Sequence, residues 1–244
     1  MDNHSTIVQD FLNSPEAKEY NPNSYLIERS EITSIPNIYK NPNCPTQLTP
    51  GKKLIIDIFG PSGVGKDTIT RLPNIANIRI ATSRSRRNGE SDTAYVWMNS
   101  EQQEELDFKK LIEQYGLVSH AVENGILYGV PKTGLNEVKD AHVITIRMSA
   151  RSLDMLRENL SDEYNIVSLM VVPGNIGSLI PSILERGNVE TRLNEIIENM
   201  KLGKQYANYF LLNEHITGTN EQILEQIESG KKSFSSLINL LTTQ

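Results

Sequence analysis

Nine residues, Gly60-Pro61-Ser62-Gly63-Val64-Gly65-Lys66-Asp67-Thr68, constrain what this 244-residue chain can fold into more than any others do. They follow an apolar run, Leu54 to Phe59, interrupted only by Asp57, and they open a short helical stretch that Pro73 stops. A loop of small residues between strand and helix lets successive backbone N–H groups turn inward around a phosphate, and the helix N-terminus adds partial positive charge. Glycine is needed where a Cβ would block that approach. Lys66 is spaced to reach β- and γ-phosphates, as in the pattern G-x-x-x-x-G-K-[ST]. One position departs from it, because Asp67 stands where a hydroxyl normally touches Mg²⁺. A carboxylate is a hard oxygen ligand, so Asp67 is a candidate to hold that ion directly or through water, with Thr68 supplying a nearby hydroxyl. The plain alternative is that Asp67 only caps the helix.

Behind this loop the chain alternates apolar runs with helical stretches. Runs at Ile78 to Ala81, Val143 to Ile146, Ser168 to Val172 and Tyr209 to Leu212 read as buried strands. Helical patterns fall between Ser100 and Tyr115, Ala150 and Asn159, and Gly177 and Arg186. Strands alternating with helices predict an α/β fold with a central parallel sheet covered on both faces. Phe234, Leu237, Ile238 and Leu241 follow helical spacing and predict a last helix docked on the body.

The first fifty residues differ in kind. Six of the 11 prolines lie there, whereas none of the 15 glycines precedes Gly51. Proline interrupts helices and central strands, and the pairs Asn21-Pro22 and Asn41-Pro42 favour turns. Residues 1–50 are therefore expected to be an extension without long regular elements, and residues 51–244 the domain proper.

Composition excludes several classes. Thirty acidic against 24 basic residues give a net charge of −6, the wrong sign for a protein that coats nucleic acid. Cys44 has no second cysteine to pair with, which excludes an internal disulfide and suits a reducing compartment. No stretch reaches the roughly 18 apolar residues of a membrane helix. The expectation is a cytoplasmic protein with small-molecule partners.

Two further motifs identify a relationship. Thr82-Ser83-Arg84-Ser85-Arg86-Arg87-Asn88-Gly89-Glu90 is followed by Tyr95-Val96-Trp97, and later by Asn124-Gly125-Ile126-Leu127-Tyr128-Gly129-Val130-Pro131. With the glycine loop, and in this order, they resemble the guanylate kinase family over roughly residues 52 to 228. The resemblance implies a three-layer P-loop NTPase-type fold, an acceptor-binding insertion near 82–131 and a short lid near 186–205. It implies ATP as co-substrate, Mg²⁺ as cofactor, and phosphoryl transfer to GMP. Arg84, Arg87, Tyr95 and Tyr128 match the family's acceptor-phosphate residues, a role for which guanidinium forks are suited. Arg186 and Arg192 resemble its lid arginines, which with Lys66 offset charge on the transferred group. Their spacing is short, and Ser182 stands where a further arginine is expected. Asn213 resembles the asparagine beside the adenine. Trp97 reads as core.

The acceptor end departs from the family. Guanine presents N–H donors that acidic side chains normally meet, and here the matching residues are Ser119 and Thr145, whose hydroxyls lack the charge. Arg147 replaces another acid, one that helps organise Mg²⁺; Glu123 and Asp67 are near enough in sequence to compensate. Two other readings stay open. Gly65-Lys66-Asp67 and Met148-Ser149-Ala150-Arg151 resemble ribose 1,5-bisphosphate phosphokinase, and the missing acids also suit a guanylate kinase-like protein-binding module without catalysis.

Overall fold

The computed structural model describes residues 3–19, 26, 31–98, 107–214 and 220–243. In chain order they form α1 (Asn3–Asn13), α2 (Pro15–Glu19), β1 (Glu31–Ile32), β2 (Ile38–Lys40), β3 (Lys53–Phe59), α3 (Lys66–Thr70), β4 (Ala76–Asn77), β5 (Ala81–Thr82), β6 (Val96–Trp97) and α4 (Phe108–Tyr115). Then follow β7 (Leu117–Glu123), β8 (Ile126–Pro131), α5 (Lys132–Glu137), β9 (Val143–Ile146), α6 (Leu153–Leu160), β10 (Tyr164–Pro173), α7 (Ile180–Arg186), α8 (Val189–Tyr206), β11 (Tyr209–Asn213) and α9 (Asn220–Thr242). Two compact units divide the chain: Met1–Leu48, Ile58–Pro73 and Ser168–Gln244 form the first, Thr49–Asp57 and Asn74–Val167 the second.

In the first unit β10 and β11 run parallel, with Leu169 opposite Tyr209 and Pro173 opposite Asn213. Residues 167–173 are buried without a break, as a strand covered on both faces requires. Phe234, Leu237, Ile238 and Leu241 are buried in α9 at the spacing that predicts it, and the helix packs on α3, β11 and β2. Gly230 lets it come close, since a Cβ there would stand 3.3 Å from Ile69 Cγ2.

The Pro-rich stretch holds more regular structure than its prolines suggest. Proline forbids a helix only where it occurs, and the Pro-free residues before Pro15 form the 11-residue α1. β2 pairs antiparallel with β11, and β1 with β2. Polar side chains fasten the segment. Asn41 Nδ2 donates to the carbonyls of Ala207 at 2.8 Å and Lys204 at 3.2 Å, and Asn208 Nδ2 donates to that of Cys44 at 2.9 Å. Asn21 and Pro22 lie outside the described residues.

In the second unit β3 pairs parallel with β9, Leu54 opposite Val143 through Asp57 opposite Ile146, and β9 pairs parallel with β4. The parallel strands and the helices between them are those of a P-loop NTPase-type fold. A separate four-stranded sheet of order β6-β5-β8-β7 is mostly antiparallel. It corrects the reading of Ile78 to Ala81 as one strand. Ile78 N donates to Thr145 O beside β9, whereas Ile80 O accepts from Val96 N beside β6, so the run passes from one sheet to the other. Ile78 and Ile80 are buried, and burial, not strand continuity, explains the apolar run.

The β7–β8 hairpin turns at Asn124-Gly125, with φ of 49° and 74°. Positive φ at both central residues of a two-residue loop matches the twist of the flanking strands, and Asn-Gly tolerates it best. Leu111 of α4 joins Ala81, Met98 and Leu127 in a buried cluster on this sheet. Asp107 caps α4 by accepting from Lys110 N at 3.1 Å, and Gly116, φ 53°, ends it. The pattern from Ser100 predicts a longer helix, but 99–106 lie outside the described residues. A 3₁₀ turn precedes both α6 and α7, so those helices begin three residues later than their patterns suggest. Among the described residues no helix is long and apolar enough to cross a membrane.

Candidate active site

The candidate residues fall into two sets, one in each unit. In the first unit β3 delivers the chain to Gly60, whose φ is 136° and whose Cβ, if it had one, would stand 2.3 Å from the Val171 carbonyl oxygen. No L side chain fits there. At Gly63, φ 84°, a Cβ would stand 2.8 Å from Ser182 Oγ, so Ser182 lies against the loop where the resemblance predicts an arginine. Pro61 and Val64 are buried and root the loop. Gly65, φ 84°, caps α3, and Thr68 N and Ile69 N donate to its carbonyl at 3.1 Å.

Lys66 Nζ donates to the carbonyls of Gly60 at 2.6 Å and Pro61 at 2.8 Å. Its ammonium is thus held over the loop's own carbonyls, where an incoming polyphosphate would compete for it. Asn213, at the end of β11, donates Nδ2 to Val64 O at 2.8 Å and ties the loop to the sheet. Gly187 and Asn188, φ 69° and 52°, reverse the chain between α7 and α8. Arg192 then donates Nε to Gly187 O at 3.0 Å and brings Nη1 to 3.5 Å from Ser62 Oγ. Lys66, Ser62, Arg192 and Asn213 therefore share one loop. The side chain of Arg186 lies outside the described residues.

Asp67 and Thr68 are exposed on the first turn of α3. Among the described residues no three His, Cys, Asp or Glu side chains cluster as a self-contained metal cage. Mg²⁺ at a nucleotide does not need one, because it keeps several waters and takes one or two protein oxygens beside the phosphates. The carboxylate and hydroxyl here are hard oxygen donors and fit that ion.

In the second unit Arg84, Arg87, Tyr95 and Tyr128 come together. Arg84 donates Nη2 to Glu90 Oε1 at 2.7 Å and Nη1 to Glu90 Oε2 at 2.9 Å, and Oε2 also accepts from Arg87 N at 3.0 Å. The guanidinium carbon lies 5.2 Å from the Tyr95 ring centre and 5.3 Å from that of Trp97, within cation–π range. Trp97 is half-buried beside Arg84 rather than a core residue, and its Nε1 donates to Asp92 O at 2.9 Å. The Arg87 side chain is exposed. Burial pushes the Tyr128 hydroxyl above the ordinary phenol value; the charges that act on it belong to Arg84, Tyr95, Glu123 and Arg87. Ala121 opposite Tyr128 and Glu123 opposite Ile126 put Glu123 on the same sheet face as Tyr128.

Ser119 and Thr145 point inward. Both are buried. Ser119 Oγ donates to Ser152 O at 2.8 Å, and Thr145 Oγ1 bonds Asn77 Oδ1. Each hydroxyl proton is spent stitching neighbouring elements together.

Two residues were missed by sequence reasoning. In the sequence Glu90 stands out only as part of a motif; its signal is its place after Gly89, whose φ of 78° turns the chain back toward Arg84. In the sequence Asp57 is only an interruption of an apolar strand. It is fully buried, accepts from Met148 N at 3.2 Å through Oδ1, and has no partner for Oδ2 among the described residues. Burial pushes its carboxyl up to about 7, against the pull of the Met148 hydrogen bond and the Arg157 charge.

No family model matches the chain. It is similar to guanylate kinase of Clostridioides difficile, 26% identical over 201 residues that span 78% of this chain and 94% of that one. Guanylate kinase of Prochlorococcus marinus strain MIT 9312 is 28% identical over 192 residues, 73% of this chain and 98% of the other. Among solved structures, guanylate kinase from Anaplasma phagocytophilum shares the fold with a TM-score of 0.55 at 19% identity, covering 79% of this chain and 88% of that one.

Proposed function

We propose that this chain, a guanylate kinase homologue and a nucleoside monophosphate kinase by kinship, transfers the γ-phosphoryl group of ATP to GMP. The observation that carries the reading is the loop at Gly60, a turn without room for a Cβ that leads into Lys66. Such backbone suits a polyphosphate. On nucleotide binding Lys66 exchanges the Gly60 and Pro61 carbonyls for phosphate oxygens, and Arg192 turns toward the same charge. Asp67 and Thr68 would hold Mg²⁺, which when bound would offset negative charge on the polyphosphate.

Phosphoryl transfer asks little covalent chemistry of side chains, so orientation and charge complementarity supply most of the acceleration. On this reading Arg87, Tyr95 and Tyr128 donate to the acceptor's phosphate, and Arg84 supports them. The insertion near 82–131 is the acceptor-binding part and 186–205 the lid. With Ser119 and Thr145 turned inward, guanine meets no carboxylate at those positions, and discrimination between bases should be modest. An ADP-release assay with ATP, Mg²⁺ and a panel of GMP, dGMP, AMP, UMP and ribose 1,5-bisphosphate tests the reading. ADP release with GMP above the others supports it. Release only with the bisphosphate would move the chain to another reaction, and silence across the panel would make it a binding module.

A further inference from the structure

A helix leaves its last carbonyls without helical partners, and those of α8 are met by the first fifty residues of the chain. Asn41 is buried and donates Nδ2 to the carbonyl of Lys204 at 3.2 Å and to that of the cap residue Ala207 at 2.8 Å. Cys44 Sγ donates to the carbonyl between them, Tyr206 O, at 3.5 Å. The amide is itself held in place, because Asn41 Oδ1 accepts from Asn43 N at 3.1 Å and Asn41 N donates to Asn208 O at 2.9 Å. Just inside this end Gly203 seats α8 on β10, where a Cβ would collide with Met170 Sδ. The opposite end carries Arg192, whose Nη1 lies 3.5 Å from Ser62 Oγ of the phosphate loop. The helix is continuous from Val189 to Tyr206, so its two ends move together.

We propose that Asn41 is a positioning residue for Arg192: it fixes the end of α8 beyond Gly203 and so sets the tilt at which the helix presents Arg192 to the loop. This rests on the ATP-site reading given above. Leu193, Ile196, Ile197 and Met200 bury the middle of α8, but apolar burial is non-directional, and the hydrogen bonds at the ends are what fix the angle. With a rise of about 1.5 Å per residue, Arg192 stands roughly 16 Å from Gly203 on one side and Ala207 roughly 6 Å on the other. A displacement of the short arm is therefore enlarged about threefold at the arginine. At 3.5 Å the contact with Ser62 has no slack to absorb it, and a misplacement of about 1 Å can cost on the order of a hundredfold in rate. Asn41 thus acts on the transferred group without touching it.

The test uses the full chain with ATP, Mg²⁺ and GMP. Asn41→Asp keeps an acceptor for Asn43 N, removes both donated bonds and sets a carboxylate against carbonyls. It should lower kcat about tenfold and leave the KM for GMP within about twofold. In an Arg192→Ala background the same substitution should change kcat by less than about twofold, because the two act on one contact. Asn41→Ser, which retains one donor, should recover part of the rate, and it carries the same comparison if circular dichroism shows Asn41→Asp unfolded. An unchanged kcat in the folded variants overturns the proposal. So does a loss that persists in full without Arg192, or one that falls equally on the KM for GMP, the marks of a residue that only holds the fold. Wild-type chain that transfers no phosphoryl group to GMP overturns the functional reading, and the proposal with it, before any variant is compared.

Discussion

The loop at Gly60 and the insertion around Arg84 both serve oxyanions in this account, yet they are built from opposite materials. The first is backbone. Its shape is set by a carbonyl of Val171 that leaves no space for a Cβ at Gly60, and its charge comes from one lysine held by its own carbonyls. The second is mostly side chain, with a carboxylate, the Arg84 guanidinium and two aromatic rings holding each other in register and the same carboxylate taking the backbone N–H of Arg87. A backbone cradle tolerates almost no substitution and needs few partners; a side-chain clamp tolerates local change but depends on a chain of supports.

The sharpest way to separate the two regions is Lys66→Ala. We expect kcat to fall about a thousandfold or more while the KM for the acceptor stays within a few-fold, since the lysine acts on the transferred group. Steady-state kinetics decides, and comparable turnover in the variant breaks the assignment. Gly60→Ala should come next. It forces a side chain against Val171 O at a φ that L residues avoid, so thermal melting should show a loss of about 3 kcal/mol or more with ATP binding weakened. Arg87→Ala should raise the acceptor KM about 10- to 100-fold, the size of a lost charge-assisted hydrogen bond, without changing the KM for ATP.

Asp57 tests the second unit away from the clamp. Its folded value of about 7 lies above its exposed value of 3.8, so the folded chain holds the proton more tightly than the unfolded chain. The stability this contributes is full below the exposed value and is lost as pH rises through the folded one. Asp57→Asn keeps an acceptor for Met148 N and removes the buried charge. It should stabilise the chain by on the order of 1–2 kcal/mol near about pH 8 and by less near about pH 5, read from melting curves. Ser119→Ala separates stability from acceptor binding. It should cost about 1–3 kcal/mol of stability through the orphaned Ser152 carbonyl and leave the KM for GMP within about threefold. A large loss of GMP affinity would return that hydroxyl to the acceptor site.

The two regions were also unequally legible in the sequence. Gly60 to Lys66 was legible because a phosphate cradle needs glycines and a lysine at fixed offsets, and no distant residue has to be known to see it. Arg84, Arg87, Tyr95 and Tyr128 were legible as a group through their order along the chain, but the direction each faces depends on strand register. Ser119 and Thr145 look equally available in the sequence, and only their pairing with Ser152 and Asn77 turns them inward. Asp57 resembles any polar interruption of a strand until the backbone of Met148 arrives to meet it. The hairpin at Asn124-Gly125 did carry its own signal, since Asn-Gly favours the turn observed. Ile78 to Ala81 misled because buried runs look alike whether they lie within one strand or between two sheets.

The most direct test of the central claim follows the transferred group itself. ATP labelled in its γ-phosphoryl group is incubated with Mg²⁺, GMP and the full chain, and the nucleotides are separated. The account predicts labelled GDP, formed in step with ADP and lost in Lys66→Ala. Label that remains in ATP, or appears only as inorganic phosphate, would contradict it.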